Sequence, residues 1–96
     1  MRKITQLSVN AFLNDAPIRQ ANMSVKIEDN ETNLYLHGNK IAIKFNTGTI
    51  YISHAGYPTR TTFERLNGIP NVRVNVKRGV VYLNGNEWDG KWIQIN

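Results

Sequence analysis

From Met23 onward the chain alternates. Met23, Val25 and Ile27 are apolar, and Ser24, Lys26 and Glu28 between them are polar. A period of two predicts a half-buried strand. Asp29-Asn30-Glu31 then turns the chain. Leu34 and Leu36 face inward next, against Asn33, Tyr35 and His37, and Gly38-Asn39 suits a tight hairpin turn. Ile41, Ile43 and Phe45 alternate with Lys40, Ala42 and Lys44, and after Asn46-Thr47-Gly48 the residues Ile50 and Ile52 alternate with Tyr51 and Ser53. The reading is a four-strand antiparallel meander. Its apolar face awaits a helical cover, and its other face displays Tyr35, His37, Lys40, Lys44, Tyr51 and Ser53.

The flanks follow other periods. Ile4, Leu7, Ser8, Ala11 and Phe12 fall on one face of a 3.6-residue repeat, which predicts a helix over 3–14 that ends before Pro17. Residues 15–22 read as a loop or short turn. After Ala55-Gly56-Tyr57-Pro58 breaks the meander, Thr61-Thr62-Phe63-Glu64 has the spacing of a capping box, with Thr59 as the alternative cap. A two-turn helix follows, burying Phe63 and Leu66. Asn67-Gly68 is read as its stop, with the glycine in the left-handed position. Val72, Val74 and Val76 alternate again, Val80–Leu83 follows, and Asn84-Gly85 and Asp89-Gly90 mark turns before a last strand at Trp92–Ile95. The predicted order is α-β-β-β-β-α-β-β-β, an α+β fold with about seven short strands, an N-terminal helix and a short central helix.

Composition narrows the class. The 96 residues suit one domain, residues 1–96, and 41% hydrophobic with 20% charged residues is a globular balance. Cysteine is absent, which excludes disulfides, thiolate metal sites and cysteine catalysis. The N-terminus lacks the apolar core and cleavage site of a signal peptide, and no apolar run is long enough to span a bilayer. The expectation is a cytoplasmic protein without a membrane partner.

Charge adds a direction. Net charge is +5, and between Thr32 and Asn86 seven basic residues face a single acid, Glu64. That bias favours anionic partners, DNA or RNA first. Tyr35 and Tyr51, sharing a face with Lys40 and Lys44 by alternation, resemble a stacking platform for single-stranded nucleic acid. The bland counterpart is cross-strand packing by good strand residues. Arg60, Arg65, Arg73, Lys77 and Arg78 complete the candidate nucleic-acid set. Trp88 and Trp92 are the candidate contacts for the alternative, a protein partner, although capping a small core explains them as well.

Nothing in the chain reads as catalysis. Ser53 and His54 are strand neighbours and point to opposite faces, so the pair is not a nucleophile and its base. His37 and His54, with Glu28, Asp29 and Glu31 in a turn, lack metal-ligand spacing, and no phosphate loop occurs. No enzyme activity, metal or cofactor is expected, and no residue set for sequestering a nucleotide stands out.

The stretch AGYPTRTTFERLNGI resembles a pattern, Ala-Gly-aromatic-x-Thr-x-Thr-Thr-x-x-Arg-Leu-Asn, of small uncharacterised proteins of tailed bacteriophages. The resemblance extends to NLYLHGNKIA and GVVYLNGNEWDG; one departure is Tyr57 in place of tryptophan. It implies a virus-encoded protein working in the bacterial cytoplasm and no particular activity. Thr59, Thr61, Thr62, Arg65 and Asn67 are more polar than a two-turn helix requires. Two explanations remain open at this point: closure of the helix onto neighbouring strands, or binding. Two functions remain open as well, a nucleic-acid-binding accessory protein and a modulator of a host enzyme or defence factor.

Overall fold

The computed structural model describes residues 1–96. Helix α1 spans Lys3–Leu13 and helix α2 spans Arg60–Leu66. Strands β1 (Ile18–Gln20), β2 (Met23–Glu28), β3 (Glu31–Leu36), β4 (Asn39–Phe45) and β5 (Ile50–Ile52) precede α2, and β6 (Val74–Lys77), β7 (Val80–Leu83), β8 (Asn86–Glu87) and β9 (Ile93–Gln94) follow it. This is the α+β architecture expected from the periodicities. All strand pairs are antiparallel.

The strands divide into two sheets. One runs β1-β2-β3-β4-β5-β9 and the other β6-β7-β8. The segment read as a loop contributes β1, whose Ile18 pairs with Val25 along β2. The last strand leaves the small sheet: β9 adds to β5, pairing Ile93 with Ile52. Backbone and side-chain bonds stitch the tail there, with Ile95 N–H donating to Ile50 O at 3.0 Å and Ile50 N–H donating to Asn96 Oδ1 at 2.8 Å. One apolar core joins both sheets and both helices, with Phe12, Met23, Leu34, Ile52, Leu66 and Leu83 among its members. No helix is long and apolar enough to cross a membrane.

A β-bulge decides which side chains share a face. Leu34 pairs with Ala42 but Tyr35 pairs with Lys40, so Ile41 is the extra residue on β4. An inserted residue shifts the alternation by one. Ile41 and Ala42 are therefore both buried. Beyond the bulge, Ala42 and Lys44 pair with Leu34 and Thr32 on the core face, while Ile43 and Phe45 turn outward. The simple alternation of 40–45 had placed Lys44 outside and Ile43 and Phe45 inside, and the bulge reverses that half.

The helices differ from expectation in detail. Thr59 is the N-cap of α2, its hydroxyl accepting from Thr62 N–H at 3.2 Å, so the Thr61–Glu64 capping box does not form. On α1 the buried side is Thr5, Ser8, Val9, Ala11 and Phe12, and Leu7 is exposed. The rotation brings Thr5 and Val9 against Gly68. A Cβ at Gly68 would stand 2.8 Å from Thr5 Cγ2 and 3.0 Å from Val9 Cγ2. Gly68 does not adopt a left-handed conformation. Its lack of a side chain lets α1 approach just past the end of α2.

Candidate functional site

Tyr35 stands on the outer face of the large sheet, as alternation predicts, but it is already engaged. Its hydroxyl donates to Glu28, and Lys26 and Lys40 lie over its ring at 5.1 and 5.9 Å from the centroid. Lys40 also sits 3.9 Å from Glu31. Burial, and then donation to Glu28, raise the Tyr35 phenol to about 12. The hydrogen bonds from Tyr35 and Asn33 hold the Glu28 carboxyl below its ordinary value. Tyr51 packs edge-on against Phe45, ring centroids 5.8 Å apart. These rings form an internally paired surface, not a row of open faces beside free lysines.

Two candidate cations work inside the fold. Lys44 crosses to the core face and donates to Leu13 O at 2.5 Å, at the end of α1, with its Nζ 3.0 Å from Asp15 Oδ1. A cation there complements the helix C-terminus. The hydrogen bond from Thr32, aided by Lys44, lowers the Asp15 carboxyl. Arg65 is only 2% exposed. Its guanidinium donates to Glu64 at 2.5 Å, to Thr5 Oγ1 at 3.1 Å and to Asn22 Oδ1 at 3.3 Å. A buried fork of donors across three elements is what arginine geometry suits. Burial alone would raise the Glu64 carboxyl, but bonds from Thr5, Arg65 and the Arg2 N–H outweigh it and keep the pKa low. As folded, neither Lys44 nor Arg65 faces a phosphate backbone. Asn67 is likewise structural: it receives Val74 N–H at 2.6 Å and donates to Val74 O at 3.0 Å, tying α2 to β6.

The remaining cations are different. Arg60, Arg73, Lys77 and Arg78 are exposed, and none forms an ion pair. Three of them belong to the β6–β7 hairpin and its approach. Arg73 precedes β6, Lys77 ends it, and Arg78 occupies the turn with φ 52°. Arg60 lines the same hollow of about 580 Å³ as Val74, Asn75 and Val76, so it flanks that hairpin. Cross-strand partners share a face. Asn75 pairs with Tyr82 and Lys77 with Val80, which sets half-buried Tyr82 diagonal to Lys77. Tyr82 was not among the sequence candidates, although its alternation with Val81 and Leu83 was visible.

The tryptophans separate. Trp88 is buried and donates its indole N–H to Lys91 O at 3.0 Å, whereas Trp92 is 45% exposed. His54 packs beside Trp88, ring centroids 5.6 Å apart. A Cβ at Gly90 would fall 1.8–2.1 Å from three atoms of the His54 ring, so this contact requires glycine. Ser53, expected on the outer face, is buried with its hydroxyl on Gly90 O at 2.8 Å.

The Thr-rich stretch builds a cleft that strand and helix patterns do not announce. A hollow of about 520 Å³ lies between the β3–β4 turn and the entry to α2, with His37, Asn39, His54, Tyr57 and Thr61 on its wall. Thr59 and Thr62 also line it, but their hydroxyls bond one another at 3.0 Å. The polar excess of this stretch thus divides. Arg65, Asn67, Thr59 and Thr62 hold the fold, while Tyr57 and Thr61 present free polar groups to open space. The clue available beforehand was that capping uses at most two of the three threonines.

A family model described as Kyanoviridae Gp96 protein matches residues 1–94. No curated protein and no solved structure matches the chain.

Proposed function

The chain belongs to the Kyanoviridae Gp96 protein family, a phage protein family, and from that premise we propose that it is a small accessory protein binding DNA or RNA in the infected bacterial cytoplasm. The observation that carries this reading is the distribution of free charge. Of the seven cations between Thr32 and Asn86, Lys40, Lys44 and Arg65 are matched by carboxylates. Arg60, Arg73, Lys77 and Arg78 remain exposed, unpaired and grouped about one hairpin, and the only acid of that segment, Glu64, is held by Arg65. Phosphate contacts from such a group supply affinity that is independent of sequence and falls with salt. Tyr82, beside Lys77, replaces Tyr35 and Tyr51 as the ring for stacking a base.

The test is titration of fluorescent single-stranded and duplex oligonucleotides at about 50 and about 200 mM salt. Four phosphate contacts predict a fall in affinity on the order of a hundredfold between the two. Replacing Arg73, Lys77 and Arg78 together by Gln should remove most of that salt dependence. Absence of binding at the lower salt would reject the proposal.

A protein partner from the host is the second reading, favoured by one observation. Val80, Val81, Trp88 and Ile93, together with Glu87 and Asp89, line a hollow of about 400 Å³. A mainly apolar lining with a few charged groups suits a small protein contact. Exposed Trp92 and Ile93 lie next to each other along the chain. Any host protein that copurifies with the wild type should be lost with Ile93→Asp or Trp92→Ala, and its retention by both would remove this reading.

A further inference from the structure

The cleft bordered by the Thr-rich stretch does not stand alone. A second hollow, of about 340 Å³, lies on the other side of the β3–β4 turn, and Arg19, Lys26, Asn22 and Gly38 line it. His37 lines both. Both hollows border this turn, where His37 and Gly38 carry φ values of 51° and 78°. Two successive positive φ values make the tight hairpin turn that usually takes Asn-Gly. An imidazole in place of Asn puts a ring with two nitrogens at this turn.

Three properties of this double hollow point to a ligand class. First, no aspartate or glutamate lines either part. Neither Arg19 nor Lys26 makes an ion pair; Lys26 lies over the Tyr35 ring and its charge acts on Glu28, which leaves exposed Arg19 as the unengaged cation of this end. Second, polar side chains of the larger hollow are left free. His37, Asn39, Tyr57 and Thr61 make no side-chain hydrogen bond inside the protein. By contrast Ser8, Asn22, Ser53 and Asn67 are all bonded within it. Third, Leu36 and Ile41, both buried, supply an apolar floor beneath those groups, and exposed Tyr57 stands at the wall. Apolar walls with a few convergent polar groups, in a volume of several hundred cubic ångströms, describe a small-molecule site.

We propose that the two hollows form one binding site for a nucleoside phosphate. The nucleoside occupies the larger part, its base against Tyr57 and its polar edges met by the Asn39 amide and the Thr61 hydroxyl. The phosphate lies beyond His37, between Arg19 and Lys26. An anion there receives charge-assisted bonds, which are about twice as strong as neutral ones. This site uses none of Arg73, Lys77 and Arg78 and stands independently of the hairpin reading.

The experiment is calorimetric titration of the full chain with the four ribonucleoside 5′-monophosphates, with the matching unphosphorylated nucleosides and with inorganic phosphate. At least one nucleotide should bind, and its nucleoside should bind at least tenfold more weakly. Arg19→Gln should weaken the nucleotide about tenfold and leave the nucleoside unchanged, which marks the phosphate end. Tyr57→Ala should weaken both equally. Arg19 and Tyr57 are exposed, so these variants keep the fold, and circular dichroism verifies it. Binding that survives both substitutions but vanishes when Arg73, Lys77 and Arg78 become Gln would overturn the site and leave the hairpin as the anion binder. No binding of any nucleotide at about 1 mM would overturn it outright.

Discussion

The two sheets treat the same residue types in opposite ways. In the six-stranded sheet, Lys26, Lys40 and Lys44 are engaged by carboxylates or a ring, and Arg19 at its edge stays exposed. Lys44 closes the end of α1 against Asp15, and Lys40 and Lys26 cover Tyr35 beside Glu31 and Glu28. Arg65, on the helix between the sheets, is buried against Glu64, Thr5 and Asn22. In the three-stranded sheet, Arg73, Lys77 and Arg78 meet no acid. The difference does not lie in the cations. Asp15, Glu28 and Glu31 all precede Thr32 and come back beside Lys44, Lys26 and Lys40, whereas the small sheet's one acid, Glu87 on β8, lies across from Tyr82 and pairs with no cation. A cation's role is thus set by which strand its neighbours lie on. Charge count along the chain indicates a basic segment, but only pairing tells which charges remain free for a partner.

This contrast can be broken at its strongest point first. Arg65→Ala leaves Glu64 without its counter-charge and strips Thr5 and Asn22 of a donor. Losing the hydrogen bonds of a buried charged side chain costs about 1.5–3 kcal/mol, and urea unfolding should record it. Its oligonucleotide affinity, measured on the folded fraction, should stay unchanged. If Arg65→Ala instead lost affinity without losing stability, the division into structural and free cations would be wrong.

Asn67→Ala comes next. It removes both bonds between α2 and Val74, and leaving buried backbone groups unmet costs about 1–3 kcal/mol. Proteolysis should then open the β6–β8 sheet before the large one. Lys44→Met keeps the side-chain length and loses the contacts to Leu13 O and Asp15. An ion pair with one exposed partner contributes little, so a small fall in the urea midpoint is expected, diminished further at high salt.

Replacing Arg73, Lys77 and Arg78 together by Gln should move stability least, within about 0.5 kcal/mol per site. Its effect belongs to binding, as a flattened salt dependence. A large stability loss in this variant would show that the hairpin cations hold the fold after all.

The pH dependence sharpens the same boundary. Asp15, Glu28 and Glu64 are held below their ordinary values in the folded chain. The unfolded chain therefore takes up these protons first as pH falls. Stability from the three groups is present above the unfolded carboxylate range and is lost as pH drops through the folded values. Tyr35 has the opposite sense. Its folded value of about 12 lies above the ordinary 10.0, so its contribution is complete below pH 10 and disappears as pH rises toward 12. Absorbance titration of wild type against Tyr35→Phe should assign a late phenol to Tyr35, and the variant should lose the alkaline part of the stability change.

Much of the fold was legible in the residues themselves. Period-two alternation located β2 to β5, β6 and β7, and the 3.6-residue repeat located α1. The motif residues were legible as a group but not in their roles. Thr59 as a cap was one of two local options, and the burial of Arg65 was not readable because its partners Thr5 and Asn22 lie about 60 and 43 positions away. Strands β1 and β8 were missed because two or three residues carry too short a period to recognise.

By itself the sequence determined the element types, the turns and the basic bias of residues 32–86, since each depends on neighbours a few positions apart. Tertiary structure alone decided which lysine faces inward, which arginine is buried and where a cleft opens. One bulged residue, Ile41, reverses the faces of Lys44 and Phe45 because strand geometry repeats every two residues. The cleft exists because chain folding brings the β3–β4 turn beside the entry to α2, two segments about twenty residues apart with no local signal in common.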